Sequence, residues 1–251
     1  MIIAQISDTH ILAKSTDLPT GASRAENLRC CIDDINRQNV DLVIHTGDSV
    51  QDGKPEEYAH LREILSGLDA PLFMVPGNRD RPDALREAMG HLSCFPGDGD
   101  FLHYAVEDYP MRLVALDSVV AGERKGVFCY RRLTWLEQTL AQEPDKPTLL
   151  FMHHPPFDIV PHYLGGYRCP REAADLASLV ARNPQVKRLL CGHVHCSHRE
   201  PWGGTVATTM PSVAVDLRKE VDAAIEGAPV YLMHIASNNS DLVSHTRVVP
   251  L

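Results

Sequence analysis

The chain lacks long apolar runs, an excess of basic residues and any recognisable leader. No apolar stretch approaches the roughly 20 residues that a helix needs to cross a bilayer, so we expect no membrane partner. The formal net charge of −9 disfavours nucleic acid, because phosphate-backbone binding usually leaves a basic footprint. Residues 1–6 enter a strand pattern without a basic segment or a small-residue cleavage site, so we expect a cytoplasmic protein.

The seven cysteines include no C-x-x-C pair. An odd and scattered set is typical of a protein kept in a reducing cytosol, and we interpret most of them as small buried apolar residues. Cys191 and Cys196 flank a histidine cluster and are alternative metal ligands. The carboxylate, amide and imidazole side chains described next supply enough ligands for two ions without them.

Short apolar runs alternate with amphipathic segments along the 251 residues, which predicts an α/β fold with two sheets and outer helices. Without a linker or an internal repeat, we predict one domain over residues 1–251. The predicted helices cover residues 23–39, 55–68, 81–91, 130–142 and 171–183. The predicted strands cover residues 2–6, 41–46, 71–75, 101–106, 112–117, 148–152, 186–191, 205–209, 230–236 and 242–249, with a turn at 96–100.

Five polar clusters each follow the carboxyl end of a predicted strand. They are Asp8-Thr9-His10, Gly47-Asp48, Gly77-Asn78-Arg79-Asp80, His153-His154-Pro155-Pro156 and Gly192-His193-Val194-His195. Open α/β sheets bind ligands at this edge, so we expect the clusters to converge in space.

The side chains in these clusters are oxygen and nitrogen ligands that suit Mn, Fe, Zn or Co. Asp8 and His10 alternate along the chain, so both can face one ion only if the backbone turns there. Gly47 permits a sharp turn and a close backbone approach beside Asp48. Asp48 lies in the middle of the set, and we predict that its carboxylate bridges two ions.

The ordered motifs DxH, GDxxxxG, GNxD, HHPP and GHVH resemble those of the calcineurin-like metallophosphoesterases, and most resemble the class III cyclic-nucleotide phosphodiesterase and glycerophosphodiesterase branch. The resemblance extends over about residues 2–213. It implies a four-layer α-β-β-α sandwich of two mixed sheets flanked by helices. By position, it implies a first metal site of Asp8, His10, Asp48 and His195, and a second of Asp48, Asn78, His153 and His193. The family's ligand is the first histidine before the prolines, so His153 is preferred to His154.

The same resemblance implies a hydrolase that uses two divalent or mixed-valence ions. Such ions lie about 3.5–4 Å apart, and a hydroxide that bridges them attacks the phosphorus atom in line. We therefore predict hydrolysis of a small phosphodiester, such as a cyclic nucleotide or a glycerophosphodiester. An alternative from another class is a metal-binding regulatory protein with little turnover.

Arg79 departs from the family motif, which has a histidine at this position as the group that protonates the leaving oxygen. A guanidinium stays charged at any working pH and cannot serve as that acid, although it can bind phosphate oxygens. We predict catalytic roles for Asn78, Arg79 and Asp80, with His154 or His162 as a substitute acid. Arg79 also favours an alternative activity on phosphomonoesters or phosphonate esters.

Two further segments have possible binding roles because of where they lie in the chain. The loop at residues 161–168 mixes aromatic, basic and flexible residues, and it either recognises substrate or only covers the core. We predict substrate contacts for Asn78, Arg79, His154, His162 and Tyr163. The charged segment 216–229 is either a solvated face or, as in relatives, a contact between the subunits of a homodimer.

Overall fold

The structure is a computed structural model that describes residues 1–18, 23–92, 95, 99–219, 225, 227–237 and 242–249. Over these residues, strands and helices alternate for most of the chain. In chain order they are β1 (Ile2–Ile6), α1 (Arg24–Arg37), β2 (Leu42–His45), α2 (Pro55–Leu65), β3 (Leu72–Met74), α3 (Pro82–Ala88), β4 (Tyr104–Val106), β5 (Arg112–Leu116), α4 (Tyr130–Gln142), β6 (Thr148–Met152), α5 (Pro170–Ala181), β7 (Val186–Leu190), β8 (His198–Trp202), β9 (Thr205–Thr209), β10 (Val230–Ala236) and β11 (Leu242–Val248).

Two mixed sheets carry the fold. The first has the strand order β11-β10-β1-β2-β3 and the second has the order β4-β5-β6-β7-β9-β8. The central strands β1, β2 and β3 are parallel, as are β5, β6, β7 and β9. Antiparallel strands occur toward the sheet edges, where β4 pairs with β5 and β8 pairs with β9.

Three apolar clusters separate four layers, because the central strands such as β2, β5 and β6 are buried on both faces. Between the sheets, Ile3 and Ile44 pack in one cluster with Leu149 and Phe151. The outer face of the first sheet packs against α1, α2 and α3, and the outer face of the second packs against α4 and α5. The α-β-β-α sandwich implied by the sequence is confirmed.

The helices begin and end for local reasons. The side chain of Ser23 accepts a hydrogen bond from the amide of Glu26 and caps the amino end of α1. The predicted α2 is three residues too long, since it ends at Leu65 and Ser66 and Gly67 follow. Helices α1, α3 and α5 are also shorter than predicted, whereas α4 has the predicted bounds.

The prediction missed strand β8. Its residues alternate in exposure and include Pro201, which lacks the N–H needed in a central strand but is tolerated at an edge. The predicted turn at 96–100 lies largely outside the described residues, as do six of the fourteen residues of segment 216–229. Residues Val215–Leu217 form a short 3₁₀ turn.

The described cysteines form no disulfide bond. Cys31, Cys191 and Cys196 are buried, but Cys169 is exposed and Cys30 and Cys129 are half-buried, so the prediction that most of them are buried was wrong for half of this set. Over the described part of the chain, no helix is long and apolar enough to cross a membrane.

Candidate metal centre

The five polar clusters converge at the carboxyl edges of β1, β2, β3, β6 and β7. The parallel β1 and β2 end together, and the amide of Asp8 donates a hydrogen bond to the carbonyl of Gly47 at 3.0 Å. From the second sheet, the amide of Gly192 donates to the carbonyl of His153 at 3.1 Å. The backbone of His193 donates to the Asp8 carboxylate at 3.0 Å, which joins the two sheets at the site.

The first group of donor atoms comes from Asp8, His10, Asp48 and His195. The Nε2 atom of His195 lies 3.2 Å from Oδ1 of Asp8 and 3.3 Å from Nε2 of His10. The same His10 nitrogen lies 3.6 Å from Oδ2 of Asp48. Two carboxylates and two imidazoles thus face one point.

The second group lies on the other side of Asp48. The Nε2 atom of His153 lies 3.4 Å from Oδ1 of Asp48, 3.2 Å from Oδ1 of Asn78 and 3.2 Å from Nδ1 of His193. Asp48 therefore presents one carboxylate oxygen to each group. This is the geometry expected of the bridging carboxylate, and it is the feature that makes the two groups one site.

The backbone at the site is in an uncommon conformation. Six non-glycine residues of the described chain have a positive φ, and five of them are Asp8, His10, Asp48, His193 and His195. The left-handed region costs an L-residue roughly 1–2 kcal/mol, although Asp and His tolerate it better than most. The predicted turn between Asp8 and His10 is thus present, and it places both side chains on the same side.

Gly47 allows the loops to approach each other. Its φ is +91°, and a Cβ atom there would lie 2.7 Å from Nδ1 of His153 and 2.8 Å from the amide nitrogen of Gly77. Both contacts are too short for any side chain. A glycine is therefore required where the β2 loop passes between the loops after β3 and β6.

Burial and charge set the protonation of the imidazoles. Burial lowers the pKa of His10 to about 4; burial, reinforced by the charge on His153, lowers that of His193 to about 3. Burial also opposes charge on His153, but the carboxylate of Asp48 outweighs it and raises the pKa of His153 to about 9. At neutral pH the metal-free site therefore holds neutral His10 and His193 beside a protonated His153.

These donors fit a pair of transition-metal ions. Each group pairs two imidazole nitrogens at 3.2–3.3 Å, and a cation between two such nitrogens satisfies both lone pairs. The carbonyl of Thr46 accepts from Nδ1 of His153 at 2.8 Å, which directs Nε2 toward Asp48 and Asn78. Oxygen and nitrogen donors without thiolate suit Mn, Fe, Zn or Co.

The structure separates Asp80 from Arg79. Arg79 lines the cavity beside the two groups, and its amide donates to Oδ1 of Asp48 at 2.7 Å. Asp80 is buried and does not line that cavity. Its carboxylate accepts from the amide of Ser49 at 3.0 Å and from that of Gly77 at 2.9 Å. Asp80 thus holds two site loops together, and the catalytic role predicted for it remains a prediction.

His154 also lies elsewhere than predicted. It is buried and does not line the cavity, and its Nδ1 lies 2.8 Å from Oγ of Ser118. Its ring centre is 4.6 Å from that of His193. The imidazoles of His153, His154 and His193 are close enough together to share a metal ion. His153 remains the favoured ligand because it also approaches Asp48 and Asn78.

The cavity at the site has a volume of about 320 Å³. His162 and Tyr163 line it, as predicted for the loop at 161–168. The ring of Tyr163 lies 5.2 Å from that of His193. Arg124 and Lys219 also line the cavity, and the sequence prediction missed both because they lie in loops without a motif.

Sequence reasoning also missed two residues behind the first group. Arg24 donates to the carbonyl of His10 at 3.1 Å and to Asp216 at 2.8 Å. Its position in the first turn of a capped helix carries no signal of this role. Arg24 and Asp216 link the loop after β1 to the turn at Val215–Leu217.

A sandwich of two mixed sheets with carboxylate, amide and imidazole donors at one shared edge defines a class of α/β proteins with a site suited to paired metal ions. Residues 1–197 match the family model of the calcineurin-like phosphoesterases. The chain belongs to this family.

Relatives and solved structures agree with this assignment. The chain is 34% identical over 256 residues to a probable glycerophosphodiester phosphodiesterase of Arcobacter nitrofigilis, covering 99% of this chain and 93% of the relative. It is 31% identical over 218 residues to the 3',5'-cyclic adenosine monophosphate phosphodiesterase of Escherichia coli K12, covering 86% and 77%. A dimetal phosphatase from Danio rerio superposes with a TM-score of 0.72 over 100% of this chain and 99% of the other; at 15% identity, that likeness concerns the fold alone.

Proposed function

We propose that this chain is a metal-dependent phosphoric ester hydrolase that acts on small phosphodiesters. The observation that carries the proposal is the position of Asp48, whose two carboxylate oxygens face two separate groups of donors. The two relatives, a probable glycerophosphodiester phosphodiesterase and a cyclic AMP phosphodiesterase, support diesters as the substrate class.

The two donor groups support a proposed set of metal ligands. Asp8, His10, Asp48 and His195 would hold one ion, and Asp48, Asn78, His153 and His193 would hold the other. When bound, the two ions supply Lewis-acid stabilisation of phosphoryl oxygens and lower the pKa of water. Mn, Fe, Zn and Co all suit this set.

The residues of the chain position the ester. The side chain of Arg79 lines the cavity while its amide is fixed to Asp48, so its guanidinium can bind the non-bridging phosphoryl oxygens and stabilise charge that develops on them. It cannot donate a proton to the leaving oxygen. Of the two substitute acids, His162 lines the cavity and His154 does not, so His162 is the candidate that can reach a substrate.

A second candidate function is phosphomonoester or phosphonate-ester hydrolysis. It is favoured by the permanent charge of Arg79, since a dianionic phosphoryl group gains more from a cation than a monoanionic diester does. A third reading, a regulatory metal-binding protein, predicts loading with metal without turnover.

The test is a substrate screen with metal-free protein reconstituted separately with Mn, Fe, Zn and Co. The panel contains cyclic nucleotides, glycerophosphodiesters, aryl diesters and aryl monoesters. Diester turnover that is lost in Asp48→Asn and kept in His91→Gln, which changes an exposed histidine outside the site, supports the proposal. Metal-loaded protein that is inert on every ester would favour the regulatory reading.

We also propose that residues 1–251 form one domain, that the protein is cytoplasmic and that segment 216–229 contributes to a homodimer. The absence of disulfide bonds among the described cysteines supports a reducing compartment. Sedimentation of the full chain tests the dimer: a monomer at micromolar concentration would argue against it.

A further inference from the structure

We infer that the cavity selects diesters whose non-reacting part carries a further anionic group, such as a carboxylate or a second phosphate. The inference rests on the proposed function and narrows its substrate class. It assigns specificity to Arg124 and Lys219, two residues outside the candidate metal ligands.

The lining of the cavity is strongly cationic. Arg79, Arg124 and Lys219 all line it, and its one acidic side chain among the described residues is Asp48, which faces the metal groups. The chain as a whole has a net charge of −9. A cluster of three permanent cations at one cavity of an acidic protein marks a local preference for anions.

These cations are not neutralised by neighbours within the described part of the chain. None of the three forms an ion pair with a described carboxylate, whereas other exposed cations do: Lys54 pairs with Asp52 at 2.9 Å. Glu123, the acidic neighbour of Arg124, pairs instead with Arg168 at 3.6 Å. The charge of Arg124 therefore remains available to a ligand.

The positions of the three cations in the chain indicate different binding roles. Arg79 follows the candidate ligand Asn78 directly, so its guanidinium belongs with the reacting phosphoryl group. Arg124 lies in the loop between β5 and α4. Lys219 follows the turn at Val215–Leu217, and its own amide donates a hydrogen bond to the carbonyl of His195 at 3.1 Å. Both residues lie in loops that supply no candidate metal ligand, and we therefore assign their side chains to the part of the ester that extends away from the phosphorus.

One charge on the phosphoryl group does not require three cations. Bound metal ions would face that charge together with Arg79, whereas Arg124 and Lys219 are exposed side chains of the cavity lining. An exposed ion pair strengthens binding by about 1.4- to 5-fold, so two pairs with one remote carboxylate correspond to a preference of about two- to thirtyfold.

A binding experiment tests the inference without relying on turnover. Protein reconstituted with Mn²⁺ is titrated calorimetrically with phosphonopropionate and with propylphosphonate, which differ only by the carboxylate. We expect phosphonopropionate to bind about two- to thirtyfold more tightly, with a preference that falls as salt rises. The double variant Arg124→Gln/Lys219→Gln should abolish the preference.

A control double variant removes the same amount of charge from positions outside the cavity lining. Lys125 follows Arg124 in the same exposed loop but does not line the cavity, and Lys187 lies near the opposite edge of the sheet, at the start of β7. The double variant Lys125→Gln/Lys187→Gln should keep the preference. Equal binding of the two phosphonates, or an equal loss in both double variants, overturns the inference.

Turnover separates the inference from the proposed function. Three diesters share a para-nitrophenyl leaving group and differ in the other substituent, which is carboxyethyl, propyl or choline. We expect kcat/KM to rank carboxyethyl above propyl above choline, mainly through KM. Hydrolysis of all three without this ranking overturns the inference and leaves the proposed function standing. If none of the three diesters is hydrolysed but phosphonopropionate still binds more tightly, the proposed function is overturned and the inference about the cavity stands.

Discussion

The Nδ1 atom of His195 lies 2.9 Å from the carbonyl oxygen of Leu217. A carbonyl can only accept, so Nδ1 carries the hydrogen and Nε2 is left to face Asp8 at 3.2 Å. Leu217 belongs to the short turn that also contains Asp216. The orientation of a candidate metal ligand thus depends on a turn far from it in the sequence.

We predict that Arg24→Gln weakens metal binding by about 10- to 100-fold, the usual effect of losing a residue that orients a metal ligand. Arg24 donates hydrogen bonds to the carbonyl of His10 and to the carboxylate of Asp216. Asp216 lies in the turn whose Leu217 carbonyl orients His195, so the loss of Arg24 would loosen both His10 and His195. Competition with a chelator measures the affinity. The control is Arg37→Gln, which changes an exposed arginine at the other end of α1; equal affinities in the two variants would show that Arg24 has no such role.

We predict that Gly47→Ala reduces stability and metal content far more than Gly122→Ala. Both glycines have a positive φ, of +91° and +81°, but a Cβ atom at Gly122 would meet nothing within 4 Å. The two variants therefore share the cost of a left-handed alanine, roughly 1–2 kcal/mol. Only Gly47→Ala adds the collision with His153 and Gly77. Thermal unfolding and metal analysis compare them, and a similar loss in both would exclude the collision as the cause.

We predict that metal binding to the second group strengthens by about tenfold for each pH unit from neutral pH to about pH 9, because His153 must lose one proton to bind an ion. Its pKa is raised to about 9 by Asp48 in spite of burial. The same shift stabilises the metal-free protein fully below pH 6.5, the ordinary value, and this contribution is lost as the pH rises through about 9.

Affinity measured across this pH range, together with an NMR titration of the metal-free imidazoles, checks the prediction. An affinity for the second ion that does not change between neutral pH and pH 9 would mean that His153 is already neutral in the metal-free protein.

We predict that Arg79→His raises diester turnover relative to monoester turnover. The imidazole adds a proton donor, and general acid catalysis contributes about 10²–10⁴-fold when the leaving group is poor. The gain should be largest for alkyl diesters and small for nitrophenyl diesters. The control is Arg81→His, two residues along and outside the cavity. If neither the diester rate nor the monoester rate changes in Arg79→His, Arg79 has no catalytic role.

The candidate ligands could be predicted from the sequence because each one follows a strand, and parallel strands end at a common edge. Arg124 and Lys219 could not, since long side chains in irregular loops reach the cavity without any periodic pattern. The positions of His154 and Asp80 depend on the hydrogen-bond partners Ser118 and Ser49, which come from other loops. Adjacent residues in a motif can therefore face in different directions.

The left-handed backbone at Asp8, His10, Asp48, His193 and His195 has a consequence for protein engineering. The left-handed conformation costs these residues free energy, and metal binding would offset that cost by stabilising the folded protein. A thermostability screen on metal-depleted protein would therefore enrich glycine at these positions, because glycine removes the strain. Such a screen would yield heat-resistant proteins that have lost their ligands, so selection for stability should be carried out with the metals present.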